Sequence, residues 1–526
     1  MKNLKLNRTD FALIIILLII SLIIKFSAIK TIMLAGDSAS VATLVKNLSE
    51  NFSYSINGQP HLHWPPLFPL IAAVINILLD NPVTSLKITS TVISSLTLVV
   101  VYLFARRLNL SISLSVIATL LVLFNPFFLY YAGGILPLAE SLSVFLFTLG
   151  FFFYFSEGGL LLSAVLFGLC TLTKLNYLGY FIPFLFLHAY YFIKTRKILH
   201  LNFLILILLP SLLWLMRNKL LTPSRWGEDY FKFFSIKHFM QIPYLAEGYA
   251  VALIFLLLPL IPLIALCFLN NKQTTLKLRN NCKKWCLVVL SALCFFVLIL
   301  ILNPYYNSNL LHFSVSRTRF FVSIVPIFTL LAISFFSNIK SKLLKIIKIY
   351  LITVVIAYII FSMLLTNGFV ISMLDFTQNS TLNSLSNTFI KRSFQRSMAI
   401  EWANNNLPNS SKLLVYFNED KYGMQGIEVF YDYYFNPAFE VVSLKETNDK
   451  VLFPDIISFK EIDGLTYFGK EVYIISDVEI EDIKKEISLL TLKNNATLNL
   501  EKFEQKEIYS TLVSPNVKII KLWIKS

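Results

Sequence analysis

A carboxylate, Asp37, opens the polar stretch GDSASVATLVKNLSENFSYSINGQPHLHWPPLFP, which runs from Gly36 to Pro69 directly after the first apolar run. A carboxylate held at a membrane surface can take a proton from an acceptor hydroxyl or amine, the work of a general base. Such an acid also fits a solvated helix end. What favours chemistry is its context: a helical pattern of Ala39, Leu44, Val45 and Leu48, then a Pro65-Pro66 segment that would wall the acid against the bilayer. Glu140, in GGILPLAESLS, is a second catalytic candidate, because an acid near the end of an otherwise apolar run is costly to keep and usually functional. Its alternative is an acid that snorkels to the interface.

Four cations stand where a membrane protein normally avoids them. Lys174 in GLCTLTKLNYLG, Arg217 in LLPSLLWLMRN, and Arg317 and Arg319 in SVSRTRFFVSIVP each border an apolar run on the side that the positive-inside bias leaves poor in Lys and Arg. A phosphate at the membrane surface is an economical partner for all four, since guanidinium donors match its oxygens two at a time. Arg217 has other uses, capping its helix or pairing with Glu228 or Asp229. His61 and His63 flank Leu62 beside Trp64. His63 with Asp37 makes a candidate site for a divalent metal ion, and the same histidines fit a hydrogen-bonded loop equally well; His61 and Trp64 are candidates for the loop that meets the acceptor.

The elements that must carry these residues are membrane helices. Of 526 residues, 56% are hydrophobic and 14% charged, with a mean hydropathy of +0.68, and a soluble chain has nowhere to hide that much apolar surface. The net charge of +16 sits largely in short clusters beside apolar runs, which points to membrane orientation and away from nucleic acid. MKNLKLNR and the run after it lack a small-residue cleavage site and read as a retained helix rather than a signal peptide. The five cysteines, Cys170, Cys267, Cys282, Cys286 and Cys294, imply no disulfide framework, and Cys282 with Cys286 has no second pair to complete a metal site.

Apolar windows fall at about 11–29, 66–79, 85–105, 112–131, 138–155, 160–173, 176–193, 199–216, 248–269, 285–302, 320–337 and 349–366. Basic clusters at Lys2/Lys5/Arg8, Arg106/Arg107, Lys194/Arg196/Lys197, 272–284 and 340–348 should all face the cytoplasm. That holds only if the short, proline-opened window at 66–79 lies in the interface without crossing. About 11 transmembrane helices then remain, with the N-terminus cytoplasmic, and every candidate site residue falls on the outer face of the cell membrane. The expected fold is therefore an α-helical polytopic membrane protein with a transmembrane domain at 1–370, an interfacial first outer loop at 31–80, and a domain at 371–526 outside the membrane. Strand-like runs KLLVYF, KEVYIIS and VKIIKLWI alternate with helix-like RSMAIEWANNN and VEIEDIKKEISLL, which makes that outer domain α/β.

Taken in order, Asp37, HWPPLFPL, ILPLAESL, GLCTLTK, PSLLWLMRN and SRTRFFVSIVP resemble the membrane glycosyltransferases of the GT-C class, in particular the bacterial relatives of protein O-mannosyltransferases and of the lipid A aminoarabinose transferase. The resemblance runs from about residue 10 to residue 340. It implies transfer of a hexosyl or pentosyl unit from a polyprenyl-phosphate carrier to a lipid, glycan or protein acceptor on the outer face. It also implies inversion at the anomeric carbon, with Asp37 as the matching base or acceptor-orienting acid. Relatives often carry Glu-Lys or a similar charged pair before Pro-Pro where this chain has His63-Trp64. Two other classes fit a polytopic chain. A lipid or glycan transporter or flippase should hold its charges near the bilayer midplane and show related halves, and a membrane-anchored binding protein would need only the outer domain.

Overall fold

The computed structural model of the chain describes residues 6–30, 37–56, 59–62, 64–126, 128–132, 139–221, 285–293, 322–336, 341–366, 399–408 and 411–416, and the strand residues 440–443, 446–447, 450–451, 471–476, 503–510 and 518–524. Helix α1 (Arg8–Lys30) lies antiparallel against α4 (Pro82–Arg107). Polar contacts fix the register: Ser21 meets Ser95 and Lys25 meets Ser94, each at 2.8 Å, while Asp10 at the other end accepts from the Tyr102 hydroxyl at 2.7 Å and pairs with Arg106 at 2.8 Å. Asn7 and Asp10 close the start of α1 by exchanging backbone-to-side-chain bonds of 3.0 and 2.8 Å, a reciprocal cap that satisfies two otherwise orphaned N–H groups.

Because α1 and α4 are antiparallel, the chain between them starts and ends at the same end of the bundle. It holds α2 (Asp37–Asn51), a short hairpin of β1 (Ser55–Ile56) and β2 (Gln59–Pro60), and α3 (Leu67–Leu79). At 13 residues, α3 is about 20 Å long, too short to cross a bilayer core. Asn76 ties the three helices together, donating to Ser49 at 2.7 Å and accepting from Ser85 at 3.2 Å. Asn81, followed by Pro82, then caps α4 through the Thr84 N–H at 2.9 Å.

Helices α5 (Ile112–Leu123), α6 (Glu140–Tyr154), α7 (Leu160–Thr171), α8 (Leu178–Thr195) and α9 (Ile198–Leu221) follow in alternating directions. The apolar window at 112–131 is not one helix. Asn125-Pro126 interrupts it, since proline disfavours α geometry in the residue before it. The Asn125 side chain accepts the Phe128 N–H at 3.2 Å, and the chain resumes as a π-turn over Phe128–Ala132. Helix α7 packs tightly on both sides. The Phe167 ring occupies the space that a Cβ would need at Gly150 on α6, and a Cβ at Gly168 would run into the Leu206 carbonyl on α9. Helices α10 (Ile324–Phe336) and α11 (Ser341–Thr366) pack against α5. Among the described helices, α1, α4 and α9 are long and apolar enough to cross a membrane.

One end of this bundle collects basic residues from several helices. Arg106 meets Asp10, Arg107 lies 5.3 Å from the Phe152 ring, and Lys348 donates to Ser113 at 2.9 Å. Tyr154 packs on His188, which stands six residues before Lys194 on α8. The other end holds α2, α3, the first residues of α6 and the last residues of α7 and α9. Downstream, a five-stranded sheet has the order β4 (Glu440–Ser443), β3 (Lys412–Tyr416), β7 (Glu471–Ser476), β9 (Lys518–Ile524), β8 (Phe503–Ser510), beside a small β5 (Glu446–Thr447) and β6 (Lys450–Val451) hairpin. Strand β3 is parallel to both of its neighbours, and β9 is antiparallel to both of its own. Tyr473 to Ser476 are buried without alternation, as a central strand covered on both faces requires. Residues 399–406, within RSMAIEWANNN, are helical, and VEIEDIKKEISLL lies outside the described residues.

Candidate functional site

The loop that carries His61 and Trp64 is held from two sides. On its own side, the Tyr54 hydroxyl donates to the Trp64 carbonyl at 2.8 Å, and the Trp64 N–H donates to His61 Nε2 at 3.1 Å, folding the imidazole back onto the indole at a centroid distance of 4.8 Å. His61 is thus a loop-organising acceptor through Nε2. Desolvation pushes the Tyr54 hydroxyl well above its usual range, against the influence of the nearby Arg217 cation, so it remains a donor.

From across the bundle, the last turn of α9 supplies the second clamp. Arg217 Nη1 donates to the His61 carbonyl at 3.0 Å and to Asn218 Oδ1 at 2.9 Å, and Asn218 Nδ2 donates to the Leu62 carbonyl at 2.8 Å. The guanidinium lies 4.7 Å from the Trp214 ring and 5.5 Å from the Tyr54 ring, a cation between two aromatic faces. This arrangement uses one terminal nitrogen of the guanidinium. Its Nη2 and Nε have no partner among the described residues, leaving one edge of the fork available to an anion.

The third wall joins α6 and α7. Glu140 is the first residue of α6 and 1% exposed, and its Oε1 pairs with Lys174 Nζ just beyond α7. The anion that Lys174 needs is therefore supplied inside the protein. Thr173 and Ser143 share a hydrogen bond of 2.7 Å beneath the pair, and the Leu67 N–H that opens α3 donates to the Leu172 carbonyl at 3.2 Å. That last bond docks the Pro65-Pro66 segment against the chain carrying Lys174. Ser211 donates to Thr171 at 2.7 Å and ties α9 to the same corner.

The structure thus gathers His61, Trp64, Glu140, Lys174 and Arg217 at one end of the bundle, with Asp37 starting the adjacent α2. Side-chain geometry at Asp37, and the placement of His63, Arg317 and Arg319, lie outside the described residues. Among the described residues, no group of three or more His, Cys, Asp or Glu comes together. Tyr54, Trp214 and Asn218 were not among the expected site residues. Their signal in the sequence is slight: an aromatic residue at each margin of the outer segments, and an amide following the arginine.

No protein-family model matches the sequence, and no curated relative does. Among solved structures, ArnT from Cupriavidus metallidurans in the apo state aligns over 98% of this chain and 99% of its own, with a TM-score of 0.53 at 12% identity. The chain has the fold of ArnT. The same ArnT bound to undecaprenyl phosphate aligns over 98% of both chains, with a TM-score of 0.51 at 12% identity. The likeness covers nearly the whole chain, and it agrees with the GT-C architecture expected from the ordered motifs.

Proposed function

We propose that this protein transfers a hexosyl or pentosyl unit from a polyprenyl-phosphate carrier to an acceptor hydroxyl or amine on the outer face of the cell membrane, with inversion. The observation that carries this reading is the full-length fold shared with a protein that binds undecaprenyl phosphate, together with a guanidinium edge left open beside the His61–Trp64 loop. Asp37 takes the acceptor proton as the acceptor oxygen or nitrogen bonds to the anomeric carbon. The bond from that carbon to the phosphate oxygen breaks, and the electron pair leaves with the lipid phosphate. A phosphate is a good leaving group, so cations on its oxygens can replace a protonating acid. Arg217, with Arg317 and Arg319, supplies them in this reading, and Lys174 is held beside them by Glu140. If a divalent ion is used, His63 and Asp37 would hold it, and it would add charge at the same phosphate.

The direct test is transfer by the purified protein from polyprenyl-phosphate sugars, followed by mass change of the acceptor. Arg217→Ala should weaken donor use by about 1–3 kcal/mol, the worth of a charge-assisted hydrogen bond, with Arg217→Lys recovering little because a point charge cannot replace the fork. Unchanged donor dependence in both variants would remove Arg217 from the phosphate.

The topology in this reading places both ends of the α1–α4 pair predictably. A single cysteine at Ser55 should react with an impermeant reagent added outside intact cells, and one at Asn109 should not. Labelling at Asn109 from outside would mean that α3 crosses and that every later loop must change sides.

A further inference from the structure

Lys25 has no role in the transfer chemistry above, yet it is fully buried between α1, α4 and the π-turn. Its Nζ donates to Ser94 Oγ at 2.8 Å and lies 5.2 Å from the Phe128 ring centroid, and it makes no ion pair among the described residues. A hydroxyl and a ring face offset only part of the cost of burying a charge in a membrane bundle. Lys87, also buried, stands on α4 at seven residues before Ser94, with Thr91 between them on the same helix face. The hydroxyls of Ser90 and Thr91, and that of Ser38 on the adjoining α2, are buried and have no hydrogen-bond partner among the described residues. Water would satisfy those hydroxyls, but it would not neutralise a buried cation.

We propose that this α1–α4 seam is an anion subsite, with Lys25 and Lys87 on either side of the Ser90 and Thr91 hydroxyls, that takes the phosphate monoester of the spent lipid carrier. The proposal rests on the polyprenyl-phosphate reading and deepens it. The donor is a phosphodiester with one negative charge. Breaking the bond to the sugar leaves a monoester that carries up to two at neutral pH, because its second proton dissociates near pH 6. The added charge favours a site with added cations. A prenyl tail entering the seam has an apolar surface to follow, since Ile19, Ile23 and Phe26 of α1 are exposed on the outside of the bundle.

The test compares farnesyl phosphate, a monoester, with farnesyl methyl phosphate, a diester, as ligands of the full-length protein in detergent. The wild-type protein should bind the monoester about tenfold more tightly. Lys25→Met and Lys87→Met should each cut that preference about fivefold or more while leaving diester affinity within about twofold, as expected for cations that meet only the second charge. Methionine keeps most of the length and removes a buried charge, so the melting temperature should not fall. An undiminished monoester preference in both variants overturns the subsite. If the wild-type protein binds neither ester, the carrier reading fails by itself, and inorganic phosphate then decides the seam: stabilisation of the wild type but not of Lys25→Met supports an anion site there, and equal stabilisation of both overturns it. Binding of inorganic phosphate as tight as that of farnesyl phosphate would overturn the lipid as the source of the anion.

Discussion

Asp37→Asn should give a protein that folds, binds donor and fails to transfer. The amide keeps the size and polarity of the carboxylate at the head of α2, where an acid interacts favourably with the helix dipole, but it cannot accept the acceptor's proton. The residues that follow it, Ser38, Ser40, Val41 and Ala42, are buried, so the helix start is anchored by packing that the substitution leaves untouched. Loss of a general base costs about a hundredfold to ten-thousandfold in rate. The measurement is single-turnover transfer at saturating donor, with donor affinity and melting temperature recorded on the same preparation. Near-wild-type turnover would take Asp37 out of the mechanism. Loss of donor affinity in place of turnover would make Asp37 a binding residue.

The helices were legible in the sequence because apolar windows and basic clusters report directly on burial and on which end is which. The clusters around Arg8, Arg106 and Lys348 do come to one end, and Asp10–Arg106 makes the chain between α1 and α4 start and finish at the other. The partners of the site residues were not legible. Arg217 is held by the backbone carbonyl of His61 and by an adjacent side-chain amide, and a carbonyl leaves no mark on side-chain composition. Glu140 and Lys174 lie 34 residues apart, one opening α6 and the other just past α7, and their meeting depends on the register of α6 against α7, where the Phe167 ring fills the space beside Gly150. Each was readable as an ionisable residue out of place; only the fold shows that one answers the other. Lys25 was hidden for a different reason, since a single lysine near the end of the run at 11–29 looks like a helix end that reaches water.

Separating structure from catalysis at the Glu140–Lys174 pair calls for single and double replacement together. Both members are sheltered, at 1% and 13% side-chain exposure, so removing one leaves the other as a buried charge without its ion-pair partner. Lys174→Met or Glu140→Gln alone should therefore cost about 3–5 kcal/mol of stability, whereas the double replacement should recover most of it because no buried charge is left behind. Chemical denaturation or the melting temperature in a fixed detergent reads this first outcome, and additive losses in the double variant would show that the pair is not coupled. Activity of the stable double variant then assigns the role. Turnover near wild type would make the pair a brace that fixes Thr173, and through Leu172 and Leu67 the Pro65-Pro66 segment, relative to α6. Lost turnover with unchanged donor KM would give Glu140 a part in the chemistry. A rise in donor KM about tenfold or greater, the effect of losing one charge-assisted contact, would show that Lys174 reaches the carrier phosphate while still bound to Glu140.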